Sequence, residues 1–208
     1  MDKPVVYGGD YSVYVRIVRL VLEEKGAGYQ LVPLDIFAAD GIPGWYFEHQ
    51  PFGRIPAFEH DGFRLYETGA IARYVDEAFD GPALQPAGAR PRARMNQITG
   101  LLDAYAYRAM VWDVAVERLE KTPPDDAVIA NGLRQARTAL QALSSLKAEG
   151  PWLLGTDLTL ADLHAAPIIG YFAKVAEGRK LLAEFAGIRD WYAHITQRPS
   201  FANTEKAG

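Results

Sequence analysis

Ile55-Pro56 and Glu67-Thr68 are residues whose types and spacing suit holding a ligand. Ile55-Pro56 stands directly before a β-favouring run, where an X–Pro bond admits the cis form. A cis bond there turns the N–H and C=O of Ile55 away from the sheet and toward a cleft. A peptide-like ligand could then pair with Ile55 as an added strand. The alternative is that Pro56 merely starts a strand in trans, the commoner state of X–Pro bonds. Glu67-Thr68 opens a helix further on. The N–H and hydroxyl of Thr68 lie at the positive end of that helix and suit a carboxylate, while the Glu67 carboxylate suits an ammonium. The ordinary alternative makes Glu67 a charge at a helix N-terminus and Thr68 a simple cap. Ser12, directly before the apolar run from Val13, is by default a plain N-cap.

Other chemistries are excluded by what the chain lacks. It has no cysteine, which removes disulfides, thiolate zinc sites and cysteine nucleophiles. The 4 histidines, His49, His60, His164 and His194, have no metal-ligand spacing, and neither GxGxxG nor GxxxxGK[ST] occurs. A net charge of −4 and a pI near 5.6 argue against a general nucleic-acid binder. No apolar run approaches the roughly 18 residues that a membrane span needs. The beginning, MDKPVVYGGD, lacks the basic stretch and apolar core of a secretory signal. A reducing cytoplasm is compatible with all of this.

Stepwise elements must position the candidate residues. Val5 to Tyr7 is a β-favouring run ending at Gly8-Gly9-Asp10, and Val13 to Lys25 follows as a helix with Arg16, Arg19 and Glu23 on one polar face. Tyr29 to Leu34 reads as a second strand, so the crossover implies parallel pairing. Gly41, Pro43 and Gly44 punctuate the stretch from Ala38 to Gln50, where Trp45, Tyr46 and Phe47 suggest a short helix packing by an aromatic face. Asp61-Gly62 between two β-like stretches signals a two-residue hairpin needing positive φ. Glu67 to Phe79 resumes a helix. Asp80 to Pro91, rich in Pro and Gly, suits a linker. Beyond it every long segment reads as helix: Arg92 to Leu119, Asp125 to Lys147, Leu160 to Ala176, and shorter pieces to Gln197. With 208 residues, two modest cores fit better than one.

The run Gln50-Pro-Phe-Gly-Arg-Ile-Pro-Ala-Phe58, followed by Leu65-Tyr-Glu-Thr-Gly-Ala-Ile-Ala-Arg-Tyr74, resembles the glutathione-site signature of cytosolic glutathione transferases. That signature reads approximately NPxGKVPxL, then a Glu-Ser pair opening a helix. Tyr7-Gly-Gly-Asp-Tyr-Ser12, with Val15-Arg16 and Val18-Arg19, looks like the first strand and loop of the serine-type (theta/phi-like bacterial) class. Thr159-Leu-Ala-Asp162 and the ending from Trp191 to Phe201 look like second-domain marks. The order and spacing of these motifs together are specific.

The resemblance implies an α/β thioredoxin-like N-terminal domain (βαβαββα) over residues 1–80, a linker over 81–91, and an all-α C-terminal helical domain over 92–208 contributing the electrophile pocket. It implies a cytoplasmic, homodimeric detoxification enzyme, a glutathione transferase using glutathione as co-substrate with no metal. Its second partner would be a small apolar electrophile; nucleic acid and membrane are not expected. A glutathione-dependent peroxidase or ether-cleaving variant, or a non-catalytic binder of glutathione or an apolar ligand, is the alternative.

The same resemblance assigns the site. Ser12 is the expected thiol activator, since a hydroxyl donating to sulfur at a helix start lowers a thiol pKa of about 8.5. Tyr11 is its rival and Tyr14 a weaker one; Tyr7 belongs to the core. Without cysteine, mixed-disulfide chemistry of the omega or beta type is excluded. Ile55, before a cis Pro56, pairs by main chain with the cysteinyl part, and Glu67-Thr68 hold the γ-glutamyl end. Serine-type relatives often place basic residues after the second strand for the glycyl carboxylate, but this chain reads Phe37-Ala-Ala-Asp-Gly41. Arg54 is the substitute, assisted by His49 or Gln50. In the second domain Asp103, Tyr107, Met110 and Val114 share a face by helical spacing. Asp103 suits the ligand's amino end and the other three an apolar pocket, whereas Tyr105 and Trp112 suit packing. Thr159 and Asp162 form a capping box, a structural device.

Overall fold

The computed structural model describes residues 3–205. The chain divides into two compact units, Met1–Leu84 with Pro199–Gly208, and Gln85–Arg198.

Unit 1 is built on a four-stranded sheet. Strand β1 (Val5–Tyr7) leads through helix α1 (Val13–Glu24) to β2 (Gln30–Val32), and β1 and β2 pair in parallel with Val6 opposite Leu31. Then β3 (Ala57–His60) and β4 (Phe63–Tyr66) form the expected hairpin, and α2 (Thr68–Ala78) follows. Asp61 and Gly62 both have positive φ, 50° and 78°, as a two-residue turn matching strand twist requires. Strand order is β2-β1-β3-β4. Because side chains alternate across a pleat, Val6 and Phe58 share one face, where they are buried with Val15, Val18, Ile71 and Val75 of the helices. Tyr7 faces the other way, against Trp45, Tyr46 and His49.

The expected short helix before the hairpin is a 3-10 helix, Gly44–Glu48. Pro43 and Gly44 leave too little chain for an α-helix, and of its aromatic residues only Tyr46 is fully buried. The expected linker is also shorter than its composition suggests. Lys25 and Asp76 form a buried ion pair, and Lys25 Nζ also donates to the Asp76 and Pro82 carbonyls at 2.9 and 3.0 Å. Leu84 N–H donates to Asp76 Oδ1 at 2.8 Å, so residues to Leu84 are tied into unit 1.

Unit 2 is helical. A continuous helix α3 covers residues 89–120, with π-helical stretches over Leu102–Ala106 and Arg108–Val116. Helices α4 (Asp126–Leu146), α5 (Leu160–Phe172), α6 (Ala176–Leu182) and α7 (Ala186–Ile195) follow. Every residue of α5 from Leu160 to Ile169 is buried, which marks it as the central helix of this unit. Its capping box is present as expected. Asp162 accepts from Leu153 N–H (2.7 Å), Thr159 N–H (2.8 Å), the Thr159 hydroxyl (2.9 Å) and Trp191 Nε1 (2.8 Å). Burial pushes its carboxyl pKa up, opposed by these hydrogen bonds.

The last helix, α8 (Pro199–Asn203), departs from the expected 92–208 domain. It belongs to unit 1, because the polar face of α1 binds its carbonyls.

Candidate functional site

Ser12 is the N-cap of α1, in extended conformation, and its Oγ accepts from Val15 N–H at 3.3 Å. Capping uses only an acceptor lone pair, so the hydroxyl proton can still be donated to a ligand. Ser12 N–H in turn donates to Gly9 O at 3.1 Å, which closes the turn entering the helix. The two glycines before that turn are closely packed. A Cβ on Gly9 would stand 2.4 Å from the Tyr11 ring, and one on Gly8 would stand 2.4 Å from Val15 and 3.2 Å from Ile55. Gly8 thus lets Val15 of α1 and Ile55 lie close against the backbone of the loop before Ser12.

Tyr11, the rival to Ser12, donates its hydroxyl to Asp35 Oδ1 at 2.9 Å. Burial and that carboxylate push its pKa up to about 12. To donate to a sulfur, Tyr11 would have to give up this bond. Asp35 Oδ1 also accepts from Phe37 N–H at 2.9 Å, an Asx-turn arrangement that leaves Phe37 63% exposed with its ring 6.0 Å from that of Tyr11. Neither Asp35 nor Phe37 was singled out from the sequence. An aspartate two residues before an aromatic, just beyond a strand, was the available signal.

The Ile55–Pro56 bond is cis and both residues are buried. Gln50 is buried as well. Its Oε1 accepts from Phe52 N–H (2.7 Å) and Arg54 N–H (3.2 Å), so it braces the loop leading to Ile55. His49 is likewise turned inward, Nε2 lying 3.2 Å from Glu59 Oε2 and its ring 4.7 Å from that of Tyr7. In these two expected helpers of the glycyl carboxylate, Gln50 Oε1 and His49 Nε2 therefore meet internal partners, while His49 Nδ1 is buried with no hydrogen-bond partner among the described residues. Arg54 keeps an exposed side chain, while its carbonyl accepts from the Tyr46 hydroxyl at 2.6 Å.

Glu67 is exposed at the head of α2 with φ 71° and ψ 108°, a conformation that non-glycine residues rarely hold. Its side chain does not turn back to cap the helix, while its carbonyl accepts from Ala70 and Ile71 N–H at 2.9 and 3.0 Å. Thr68 is the first helical residue and is buried. In unit 1 the structure therefore sets Val15, three residues after Ser12, and Ile55 against Gly8, and Glu67-Thr68 at an uncapped helix start.

In unit 2 the residues of the expected face of α3 differ in exposure. Met110 and Val114 are buried in that unit's own core, and a Cβ on Gly132 of α4 would meet Val114 at 2.8 Å. Val114 thus sits at the close packing of α3 on α4. Tyr105, expected to pack, is 68% exposed. The π turns supply the reason. Trp112 Nε1 donates to the Tyr107 hydroxyl (3.1 Å) and Arg108 pairs with Asp113 (2.7 Å), both at i,i+5, a spacing that widened turns bring together. Asp103 keeps a part-exposed side chain, and one of its oxygens lies 2.7 Å from Nε2 of buried His164.

Comparison with known proteins bears on this arrangement. A family model described as the glutathione S-transferase N-terminal domain matches residues 6–83, and one described as the C-terminal domain matches residues 126–194. Glutathione S-transferase F13 of Arabidopsis thaliana is 27% identical over 202 residues, covering 94% of this chain and 92% of that protein. A glutathione S-transferase of Hyoscyamus muticus is 26% identical over 206 residues, covering 95% of both. Among solved structures, glutathione transferase F7 from Populus trichocarpa superposes with a TM-score of 0.85 at 25% identity, covering 97% of each chain. Glutathione S-transferase III in apo form gives 0.83 at 28% identity, covering 98% of this chain and 95% of that one. With both domain models matched in order, and a four-stranded sheet unit followed by a helical one, the chain belongs to the glutathione S-transferase family.

Proposed function

We propose that this glutathione transferase holds the glutathione thiol as thiolate beside the Ser12 hydroxyl and adds its sulfur to a small apolar electrophile. The observation that carries the choice of residue is the contrast between Ser12, whose capping bond leaves its proton free to donate, and Tyr11, whose proton is given to Asp35. On this reading the thiol proton leaves to solvent. The sulfur forms a bond to an electrophilic carbon, and the displaced electron pair departs with a leaving group or is protonated on the acceptor.

The tripeptide is placed by unit 1 residues. Glu67 would take the ammonium and Thr68 the α-carboxylate of the γ-glutamyl end, with Ile55 offering main chain to the cysteinyl part. Arg54 has an exposed guanidinium and suits the glycyl carboxylate. Exposed Phe37 beside Tyr11 suits an apolar acceptor. Asp103 and Tyr107 are the residues of unit 2 that we propose for ligand contact. A homodimer is part of the proposal, supported by Phe52, 69% exposed and edge-on to Tyr66 at 6.1 Å, an aromatic pair suited to being covered.

Absorbance titration of the glutathione complex tests the reading. A thiol ionising near neutral pH, well below the usual value of about 8.5, is the expected result. Binding without ionisation would make the protein a glutathione binder, in keeping with the absence of basic residues after β2.

A further inference from the structure

The helix that starts at Ser12 has an outer polar face, and the end of the chain covers it. Arg16 Nη2 donates to Phe201 O at 2.9 Å, and its guanidinium lies 4.1 Å from the centre of the Phe201 ring. Arg19 Nη1 donates to Thr204 O at 3.2 Å and Nη2 to Asn203 O at 3.4 Å, while Nε holds the Tyr29 hydroxyl at 3.0 Å. These carbonyls lie at the C-terminal end of a short helix, where the Thr204 hydroxyl also donates to Phe201 O at 3.3 Å, and the arginines add donors at the end where cations are favoured. At the C-terminal end of α1, Ser200 donates its hydroxyl to Glu24, and Asn203 Nδ2 donates to Glu23 at 2.9 Å. Ser200, Phe201 and Thr204 are buried by this docking. The acidic and basic residues of α1 thus match donors and acceptors of the terminal segment residue by residue.

We propose that Pro199–Thr204 is a positioning strap for the thiol-activating turn, acting through Arg16 and Arg19. The inference rests on the Ser12 reading above. Helix starts fray readily, and the first turn of α1 carries the hydroxyl that must meet the sulfur. Arg16 N–H donates to Ser12 O at 3.0 Å, so the strap grips α1 one turn from the reacting hydroxyl. The opposite face of the helix is fixed by Ile17, Val18 and Val21 in the core of unit 1. Core packing from one side and the strap from the other leave α1 little freedom to roll, which is what positioning a hydrogen bond to sulfur demands.

A variant ending at Arg198 and the point variant Arg16→Gln test the proposal, with Ser12→Ala as the reference. In the shortened chain we expect kcat to fall about tenfold with KM for glutathione nearly unchanged, the pattern of a misplaced catalytic group. The bound-thiol titration should move up by about one pH unit, since that is tenfold in thiolate preference. Arg16→Gln should move both in the same direction by less, and it serves alone if the shortened chain does not fold. Shortening the chain in the Ser12→Ala background should add no further shift, because a positioning effect needs the hydroxyl it positions. A titration unmoved by strap variants but moved by Ser12→Ala overturns the strap alone. One unmoved by Ser12→Ala overturns the Ser12 reading beneath it. An equal shift on shortening with and without the Ser12 hydroxyl reduces the strap to general stability.

Discussion

Helices α2 and α5 both begin with a threonine and an acid, yet the two starts are built oppositely. At α5 the acid is Asp162, wholly buried, and its carboxylate gathers the Leu153, Thr159 and Trp191 donors. Here the hydrogen-bonding capacity of the carboxylate is consumed inside the protein. At α2 the acid is Glu67, exposed and held at φ 71°, and it makes no cap. The donors of that first turn face a place where the protein supplies no cap from Glu67. Backbone strain of this kind costs about 1–3 kcal/mol and persists where surrounding structure enforces it, commonly at ligand sites. The same residue types therefore serve stability where their bonds close internally and serve binding where they are left open.

Removing the closed carboxylate is the most severe way to test that contrast. Asp162→Ala strands several buried donors, each costing about 1–3 kcal/mol, so we expect at least about 3 kcal/mol of lost stability by denaturant unfolding. If stability held, the node would not be structural. Next comes Ser12→Ala, at a helix start that both caps and offers a proton. Turnover should fall about 10²-fold with glutathione affinity nearly kept, the loss typical of one donor aimed at developing charge. Equal turnover in steady-state kinetics would move the role to Tyr11.

The open start gives a smaller and two-sided effect. Glu67→Ala should weaken glutathione binding about tenfold, the worth of one hydrogen bond to a charged group. Calorimetry showing full affinity would remove the assignment. Glu67→Gly should weaken binding likewise while raising stability by about 1 kcal/mol, because glycine holds this backbone without strain. A fall in melting temperature would count against the strain. Smallest is Thr159→Ala, at about 1 kcal/mol of stability with catalysis unaffected. A large loss of activity in the folded variant would blur the distinction between the two starts.

Much of the fold was legible because its signals are local. Asp61-Gly62 demanded positive φ, Thr159 and Asp162 stand at capping-box spacing, and Gly26 sits just past the end of α1. The capping role of Asp162 was visible in this way, but its bonds to Leu153 and Trp191 were not. The face predicted for α3 was likewise drawn from local spacing alone. Spacing arguments assume α-helical turns, and the π stretches over Leu102–Ala106 and Arg108–Val116 change which residues share a side.

By itself, then, the sequence determined the strand–turn–strand–helix platform from Gln50 to Thr68, the helix starts at Ser12 and Thr159, and the kinship that names the thiol. Residues within a turn or two of one another settle such features through backbone dihedrals and capping. Only tertiary structure decided that Asp35, 24 residues away, takes the Tyr11 proton, that Gln50 and His49 turn inward, and that Phe201 and Thr204 close the outer face of α1. Each of these depends on a donor meeting an acceptor brought from far along the chain, and such meetings are fixed by packing, not by local spacing.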